Sequence, residues 1–358
     1  MAGEGGGGRA AITSAEVRRL ARQCGFELAG VARAEACADA ARYSAWLRAG
    51  FAGAMSYLEG RRAEVRADPH LLLPSARSVI CVGKLYNTPW PYSVRYGAGE
   101  LAWISRYAWG DDYHAVMRRG LKRLAASLAE RHGEAFDWKV GVDTAPLLER
   151  SYARLSGLGW IGKNTCVIRE GFGSWFFIGA LLVSLAIEPE APPPDRCGSC
   201  TRCIDACPTA AIRPAPSGSG YAVDSRLCIS YFTIELRDSA PAGLRGEIGG
   251  HVFGCDICQD VCPWKRKAPV TEEPSFQPRL AAPLLAEFAG LGESEFRAMF
   301  HGSPVSRARY TGFLRNVAVA MGNRGLPEFR EPLEKLAASP DELVAENARW
   351  ALSRLPGS

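Results

Sequence analysis

Cys197-x2-Cys200-x2-Cys203-x3-Cys207-Pro208, answered downstream by Cys255-x2-Cys258-x3-Cys262-Pro263, is the stretch from which the rest of the chain can be read. A tight C-x2-C-x2-C loop brings three thiolates to one small inorganic core. The fourth Cys, followed by Pro, leaves in another direction to serve a second core. The first run is complete; the second lacks one Cys, and Cys228 between them is the available replacement. The crossover pattern assigns Cys197, Cys200, Cys203 and Cys262 to one [4Fe-4S] cluster, and Cys207, Cys228, Cys255 and Cys258 to the other. Zinc would use two C-x2-C pairs closing a tetrahedron, which leaves the third Cys and both Cys-Pro endings without a role. Disulfides would require an oxidising compartment, which nothing in the sequence indicates. Cys24, Cys37, Cys81 and Cys166 stand alone in sequence and read as small buried hydrophobes.

Working outward, Ala191-Pro-Pro-Pro194 marks a boundary, so a ferredoxin-like insert is expected over residues 191–268, with Pro269 to Pro278 as a second linker. From residue 279 to 358 the pattern is helical: Leu284 to Phe300, Val305 to Asn323, Glu328 to Ala338 and Asp341 to Leu355. Short helices joined by tight turns suggest stacked helical hairpins of HEAT-like type. Upstream, over residues 13–190, strands and helices alternate. Thr13-x2-Glu16 is a capping box opening a helix to about Cys24, and Phe26 to Ala32 reads as a strand. A helix follows over about Asp39 to Arg48, then a buried strand over Ser78 to Val82 and an aromatic, Pro-rich loop from Tyr86 to Tyr96. Asp111 to His132 is a long amphipathic helix, Trp138 to Val142 a strand, and Phe176 to Ile187 strand-like. Asp143-Thr-Ala-Pro146 is expected to open a helix, with Asp or Thr as cap and Pro in its first turn. This part is therefore an α/β or α+β domain.

The 358 residues, 47% hydrophobic, are enough for a large core and two or three domains. A net charge of +5 permits an anionic partner without demanding one. Residues 1–12 form a Gly-rich tail without the apolar segment of a secretory signal, and are expected to be disordered. Arg18-Arg19 is not an export signal, because Leu20-Ala21 is followed at once by Arg22-Gln23. The most apolar stretch, Trp175 to Ile187, is shorter than the roughly 20 residues a membrane helix needs. A cytoplasmic protein with no membrane association, and a monomer, is expected.

Two glycine patterns are decoys. Gly157-x-Gly159-x2-Gly162 satisfies a dinucleotide fingerprint on paper, but it follows a helical stretch instead of a strand. Gly157-x4-Gly162-Lys163-Asn164 is nearly a phosphate loop, yet Asn164 stands where Ser or Thr would bind magnesium. What survives is physical: clustered glycines let backbone approach a flat ligand closely. The five His form no metal cluster in sequence, and His114 reads as a helix-surface or core residue.

Several longer motifs resemble a known family. They are Ser105-Arg-Tyr-Ala-x-Gly-Asp-Asp-Tyr-His114, Asp143-Thr-x-Pro-Leu-x-Glu-Arg150, Gly157-Leu-Gly-Trp-Ile-Gly-Lys-Asn-Thr165, Cys228-Ile-Ser-Tyr-x-Thr-Ile-Glu235, Gly254-Cys-Asp-x-Cys-Gln-x-x-Cys-Pro-Trp264 and Leu314-Arg-Asn316. Together they resemble the epoxyqueuosine reductases over nearly the whole chain after residue 13. Lys265 departs from the family's usual Asn, and Ala145 from a common Gly. The resemblance implies a cobalamin-dependent, two-cluster enzyme that reduces epoxyqueuosine to queuosine in a tRNA anticodon loop, fed by a low-potential electron donor. It implies a general acid, for which Asp143 is the candidate. Such an acid is neutral at pH 7 only if desolvation raises its pKa.

For the cofactor, the resemblance points to Arg66, Arg106, Asp143, Gly159, Trp160, Ile161, Gly162, Lys163, Asn164 and Thr165, with Lys163 and Asn164 offered to polar groups of the corrin. For tRNA, cationic side chains reach phosphates and aromatics stack on bases. Lys265, Arg266 and Lys267, beside the second cysteine run, are candidates, as are Arg307, Arg309 and Arg315 on the helical tail. Two other readings use the same cysteines. A corrinoid reductive dehalogenase would carry an export signal and no helical tail. A ferredoxin-type electron carrier would not need some 180 residues of a separate domain.

Overall fold

The computed structural model describes residues 11–95, 99–280 and 283–357. The Gly-rich stretch 1–10 and Tyr96, at the end of the aromatic loop, lie outside the described residues.

The first domain is built on a four-stranded antiparallel sheet. Its order is Leu28–Arg33, Ser78–Leu85, Phe176–Val183, Trp138–Gly141. Ser78–Leu85 is buried along its whole length because both faces of the sheet are covered. On one face Ile80, Val82, Leu181 and Val183 pack with Val17 and Leu20 of the helix Ser14–Gln23 and with Met117, Leu121 and Leu124 of the helix Tyr113–His132. On the other, Val79, Cys81, Ala180 and Leu182 meet Leu147, Tyr152 and Ala153 around the helix Glu149–Leu155. Successive residues of a strand point to opposite faces, so double coverage explains the unbroken apolar run where a half-exposed strand would alternate. Every pairing in the sheet is antiparallel, which makes the α+β alternative the one realised.

The helix expected from Asp143 starts only at Glu149. Asp143 has φ +48°, in the left-handed region, and Pro146 disfavours helical backbone in the residue before it. The residues between strand and helix therefore form a turn that presents the Asp143 side chain.

The cysteine-rich segment is mostly loop, held by the short helices Arg202–Asp205 and Ile257–Asp260 and the hairpin Ile212–Pro214 with Tyr221–Val223. Its strand His251–Phe253 pairs parallel with Trp103–Ile104 of the first domain. In the tail, the helix expected over Leu284 to Phe300 is two, Leu285–Ala289 and Glu293–Met299, broken at Gly290 and Gly292. Arg309–Arg324, Arg330–Ala337 and Glu342–Leu352 follow. Among the described residues no helix is long and apolar enough to cross a membrane.

The tail does not hang from a free linker. Phe313, Val317 and Met321 share one apolar core with Ile104 and Ala108 of the first domain and Val252 and Phe253 of the insert. The Pro-rich connection is strapped down by Thr271 N–H to Asn87 O (2.7 Å), Asn87 Nδ2 to Pro269 O (3.0 Å) and the buried ring of Phe276.

Candidate redox active site

Burial and mutual proximity arrange eight thiols as two quartets. The Cys203 thiol is pushed up to about 11 by burial first, then by the fields of Cys262, Cys197 and Cys200. Cys262 is pushed up by burial, with Cys197, Cys166 and Cys200 adding to it. In the second group, burial raises Cys228, with Cys207 contributing. Cys255 is raised further by burial and by Cys228, Asp256 and Cys207. Cys258 is raised by a hydrogen bond with Cys166, then by burial, Cys255 and Cys228. Cys207 Sγ accepts the Ala211 N–H at 3.3 Å, as a thiolate ligand does when its charge needs dispersing. Among the described residues no group of three His, Cys, Asp or Glu side chains is placed to hold a single metal ion. Iron binding at these thiols must displace their protons. A small pocket is lined by Cys197, Cys200, Cys203 and Cys262 together with Lys163, Arg202 and Trp264.

The turn Gly162–Cys166 lies against both quartets. It joins the two-residue strands Trp160–Ile161 and Val167–Ile168. A Cβ on Gly159 would stand 2.2 Å from Ile168 O, so this close approach admits only glycine. Lys163 Nζ donates to Gly198 O (2.8 Å) and Cys200 O (2.9 Å) inside the first cysteine loop. Asn164, 4% exposed, donates to Cys258 O at 3.3 Å in the second. Trp160 packs edge-on to Trp264, 5.0 Å between centroids, and Arg150 holds Thr165 O at 2.8 Å. The polar ends expected to face a corrin are thus committed to the cluster loops.

Asp143 sits elsewhere, at the end of its strand, with 56% of its side chain exposed. Asp112 caps the helix Tyr113–His132, accepting the His114 N–H at 3.0 Å and contacting Nδ1 at 2.7 Å. This turns the imidazole so that Nε2 lies 3.3 Å from Asp143 Oδ2, at ion-pair distance but without hydrogen-bond alignment. Tyr113 stacks between His114 and Phe177, both 4.3 Å away, and its hydroxyl also reaches Asp143. Burial works to raise the Asp143 carboxyl, but His114 and Tyr113 outweigh it and hold the group below its ordinary value. The expectation of a raised pKa is corrected here, because the neighbours are a cation and a hydroxyl donor. The proton resides on His114. Burial opposes that charge, but Asp112 and Asp143 prevail and push the imidazole up to about 9. Glu149 is the carboxyl that stays neutral: burial, then the Asp143 charge, push it up to about 8, and its Oε1 is buried without a partner.

The other expected cofactor and RNA contacts divide. Arg66 is buried, donates to Arg62 O (3.3 Å) and faces Glu149. Arg106 is 2% exposed; its guanidinium serves Thr88, Trp90 O and Pro91 O, and lies over the Tyr92, Trp109 and Trp175 rings. Its hydrogen bonds and ring contacts hold the aromatic loop, which makes it a buried structural cation. Arg315 is likewise corrected. At 3% exposure it donates to Phe232 O and Asp238 O (both 2.5 Å) and Leu236 O (3.0 Å), while Asn316 Nδ2 bonds Thr233 O and Val252 O, both at 2.8 Å. The Leu314-Arg-Asn316 motif therefore staples the tail to the backbone between Cys228 and Cys255. Arg266, Lys267 and Arg309 are exposed. Lys265 is half-buried over the Tyr92 ring at 3.8 Å. Arg307 pairs with Glu235 at 2.6 Å and reaches the Tyr57 hydroxyl at 3.3 Å, its field extending to Asp143.

Sequence reasoning assigned no site role to His114, Glu149 or Tyr57. The signal for His114 was the Asp112-x-His114 cap at a helix start; Glu149 stood inside a quoted motif; Tyr57 carried none.

Residues 196–265 match a family described as "4Fe-4S double cluster binding domain", and residues 66–144 one described as "Epoxyqueuosine reductase QueG, DUF1730". Among solved structures, an epoxyqueuosine reductase crystallised with an epoxyqueuosine-modified tRNA-Tyr stem loop superposes with a TM-score of 0.85 at 28% identity, covering 95% of this chain and 89% of that one. An epoxyqueuosine reductase from Bacillus subtilis, described with its aspartate-bearing catalytic loop swung out of the active site, superposes at 0.75 with 26% identity over 95% and 98% of the two chains. The epoxyqueuosine reductase of Xanthomonas campestris pv. campestris is 39% identical over 349 residues, 95% of this chain and 96% of its own length. An identity of that depth over both full lengths settles the matter: the chain belongs to the epoxyqueuosine reductase family.

Proposed function

We propose that this protein reduces the epoxide of epoxyqueuosine in a tRNA anticodon loop to the alkene of queuosine, with cobalamin bound over the Asp143 cleft and two [4Fe-4S] clusters supplying electrons. The balance is simple: the epoxide takes two electrons and two protons, the two C–O bonds break, and the oxygen leaves as water. Each cluster passes one electron at a time. Cobalamin, when bound, supplies a low-potential cobalt centre that delivers them to the substrate.

The observation that carries this reading is the cluster of side chains around Asp143. An open carboxylate lies beside Tyr113 and His114, with Glu149 Oε1 buried nearby without a hydrogen-bond partner. Unsatisfied buried polar atoms are costly, and a ligand bearing an oxygen next to Asp143 would complete them. Asp143, ionised at rest, relays the proton held on His114 to the departing oxygen, while Glu149 holds a second proton at neutral pH. The left-handed backbone at Asp143 and the swung-out position of the corresponding loop in the Bacillus subtilis relative fit a side chain that swings onto its substrate. Exposed Arg266, Lys267 and Arg309 are offered to tRNA phosphates.

The direct test incubates reconstituted protein with cobalamin, a low-potential reductant and epoxyqueuosine-containing tRNA, with nucleosides read by mass spectrometry. Queuosine appears only when both cobalamin and reductant are present. Equal conversion without cobalamin, or none in fully loaded protein, contradicts the proposal.

A further inference from the structure

Both cysteine quartets touch one short turn that supplies none of their eight ligands. Lys163 Nζ reaches the Gly198 and Cys200 carbonyls at 2.8 and 2.9 Å within the first cysteine loop, and lines the pocket enclosed by that quartet. One residue on, Asn164 is 4% exposed and uses both ends of its amide. Its Nδ2 holds Cys258 O in the second loop at 3.3 Å, and its Oδ1 accepts the Cys166 N–H at 3.2 Å, closing its own turn. The Cys166 thiol hydrogen-bonds Cys258 while its field also reaches Cys262 of the first quartet. The turn is anchored from behind by Arg150 on Thr165 O and by Trp160 against Trp264.

Two consequences follow from elementary electrostatics and geometry. An ammonium held at a fixed place beside a cluster favours its reduced, more negative state, and a low-dielectric surround strengthens the effect. Two loops tied to adjacent residues of one turn cannot change their separation independently.

We propose that Lys163 and Asn164 are positioning residues for electron transfer: Lys163 raises the reduction potential of the first cluster, and the Lys163–Asn164 turn fixes the distance between the two clusters. This rests on the two-cluster reading and assigns the turn to the clusters in addition to any contact with the corrin.

The test is an anaerobic potentiometric EPR titration of the full-length, iron-loaded protein, comparing wild type with Lys163→Met, Lys163→Arg and Asn164→Ala. In Lys163→Met the ratio of reduced to oxidised first cluster at a fixed potential falls about tenfold, equivalent to about 59 mV for a one-electron couple, while the second cluster holds its potential. Lys163→Arg keeps the charge and restores the wild-type potential. Asn164→Ala leaves both potentials within a few-fold in that ratio but changes the spin–spin interaction seen when both clusters are reduced. Unchanged potentials in fully loaded Lys163→Met, or a shift equally large in Lys163→Arg, overturns the assignment of Lys163. An unaltered spin–spin interaction in both Lys163→Met and Asn164→Ala overturns the spacer. If Lys163→Met fails to hold iron, Lys163→Gln is titrated in its place against the same criteria. Wild-type protein lacking two reducible clusters would instead remove the two-cluster reading itself.

Discussion

Replacing His114 with Asn should move the pH dependence of turnover in a way only a proton reservoir explains. His114 is held at about 9 by Asp112 and Asp143 against the cost of burial. Each pH unit is a factor of ten in protonation, so about 99% of the imidazole carries its proton at pH 7, half at pH 9 and roughly a tenth at pH 10. Single-turnover conversion of epoxyqueuosine tRNA, with clusters and cobalamin pre-reduced, should therefore be flat through neutrality and fall tenfold per unit above about pH 9. In His114→Asn the pull that keeps Asp143 ionised is gone, and its carboxyl rises back toward its ordinary value. The rate should then fall from the acid side, with a loss at pH 7 within the roughly 10²–10⁴ that a general acid contributes. Stability follows the same linkage. Because the folded imidazole titrates above its ordinary 6.5, its stabilisation is complete below pH 6.5 and is lost as pH rises through about 9. Melting temperatures of wild type and variant should differ at pH 6 and converge by pH 10. An unchanged plateau with the same basic limb in His114→Asn would refute the reservoir.

Arg315→Met should leave the buried Phe232 carbonyl and the part-buried carbonyls of Leu236 and Asp238 without their donor. At roughly 1–3 kcal/mol for the buried carbonyl and less for the two that water can reach, the loss is about 2–4 kcal/mol, a large part of a stability of roughly 5–15 kcal/mol. Calorimetry should show a lower melting temperature and easier iron loss, while tRNA affinity of the folded fraction is retained; the reverse pattern would return Arg315 to the RNA surface. Lys267→Ala and Arg309→Ala should behave oppositely, leaving melting unchanged and weakening tRNA-loop binding. The slope of log affinity against log salt should drop by about 0.7 for each phosphate that the substitution leaves unneutralised, and identical slopes would exclude that side chain.

Much of the fold was legible because the informative residues act locally. The helices around Leu20 and Leu121 follow from spacing, and the strand at Ile80 from an apolar run. The four clustered cysteines of the first run follow from a ligand pattern that a single loop satisfies. What escaped depends on packing between distant segments. Arg315 and Arg309 are both arginines on the tail, and only the packing of Phe313 and Val317 against Ile104 and Phe253 decides that one is buried and the other exposed. Asp143 was expected to cap a helix, but Pro146 and a left-handed backbone put it in a turn. Its ionisation could not be read from the sequence, since the deciding neighbour, His114, is far away along the chain and is aimed by Asp112. The contacts of Lys163 and Asn164 with the cysteine loops were likewise not legible, because they join segments more than thirty residues apart.

The most direct test of the account compares Asp143→Asn with wild type in one anaerobic preparation, reading clusters and cob(II)alamin by EPR and tRNA nucleosides by mass spectrometry. The account predicts unaltered cluster signals, retained cobalamin and queuosine formation reduced at least about a hundredfold. Conversion within a few-fold of wild type, at equal iron and cobalamin loading, would contradict it.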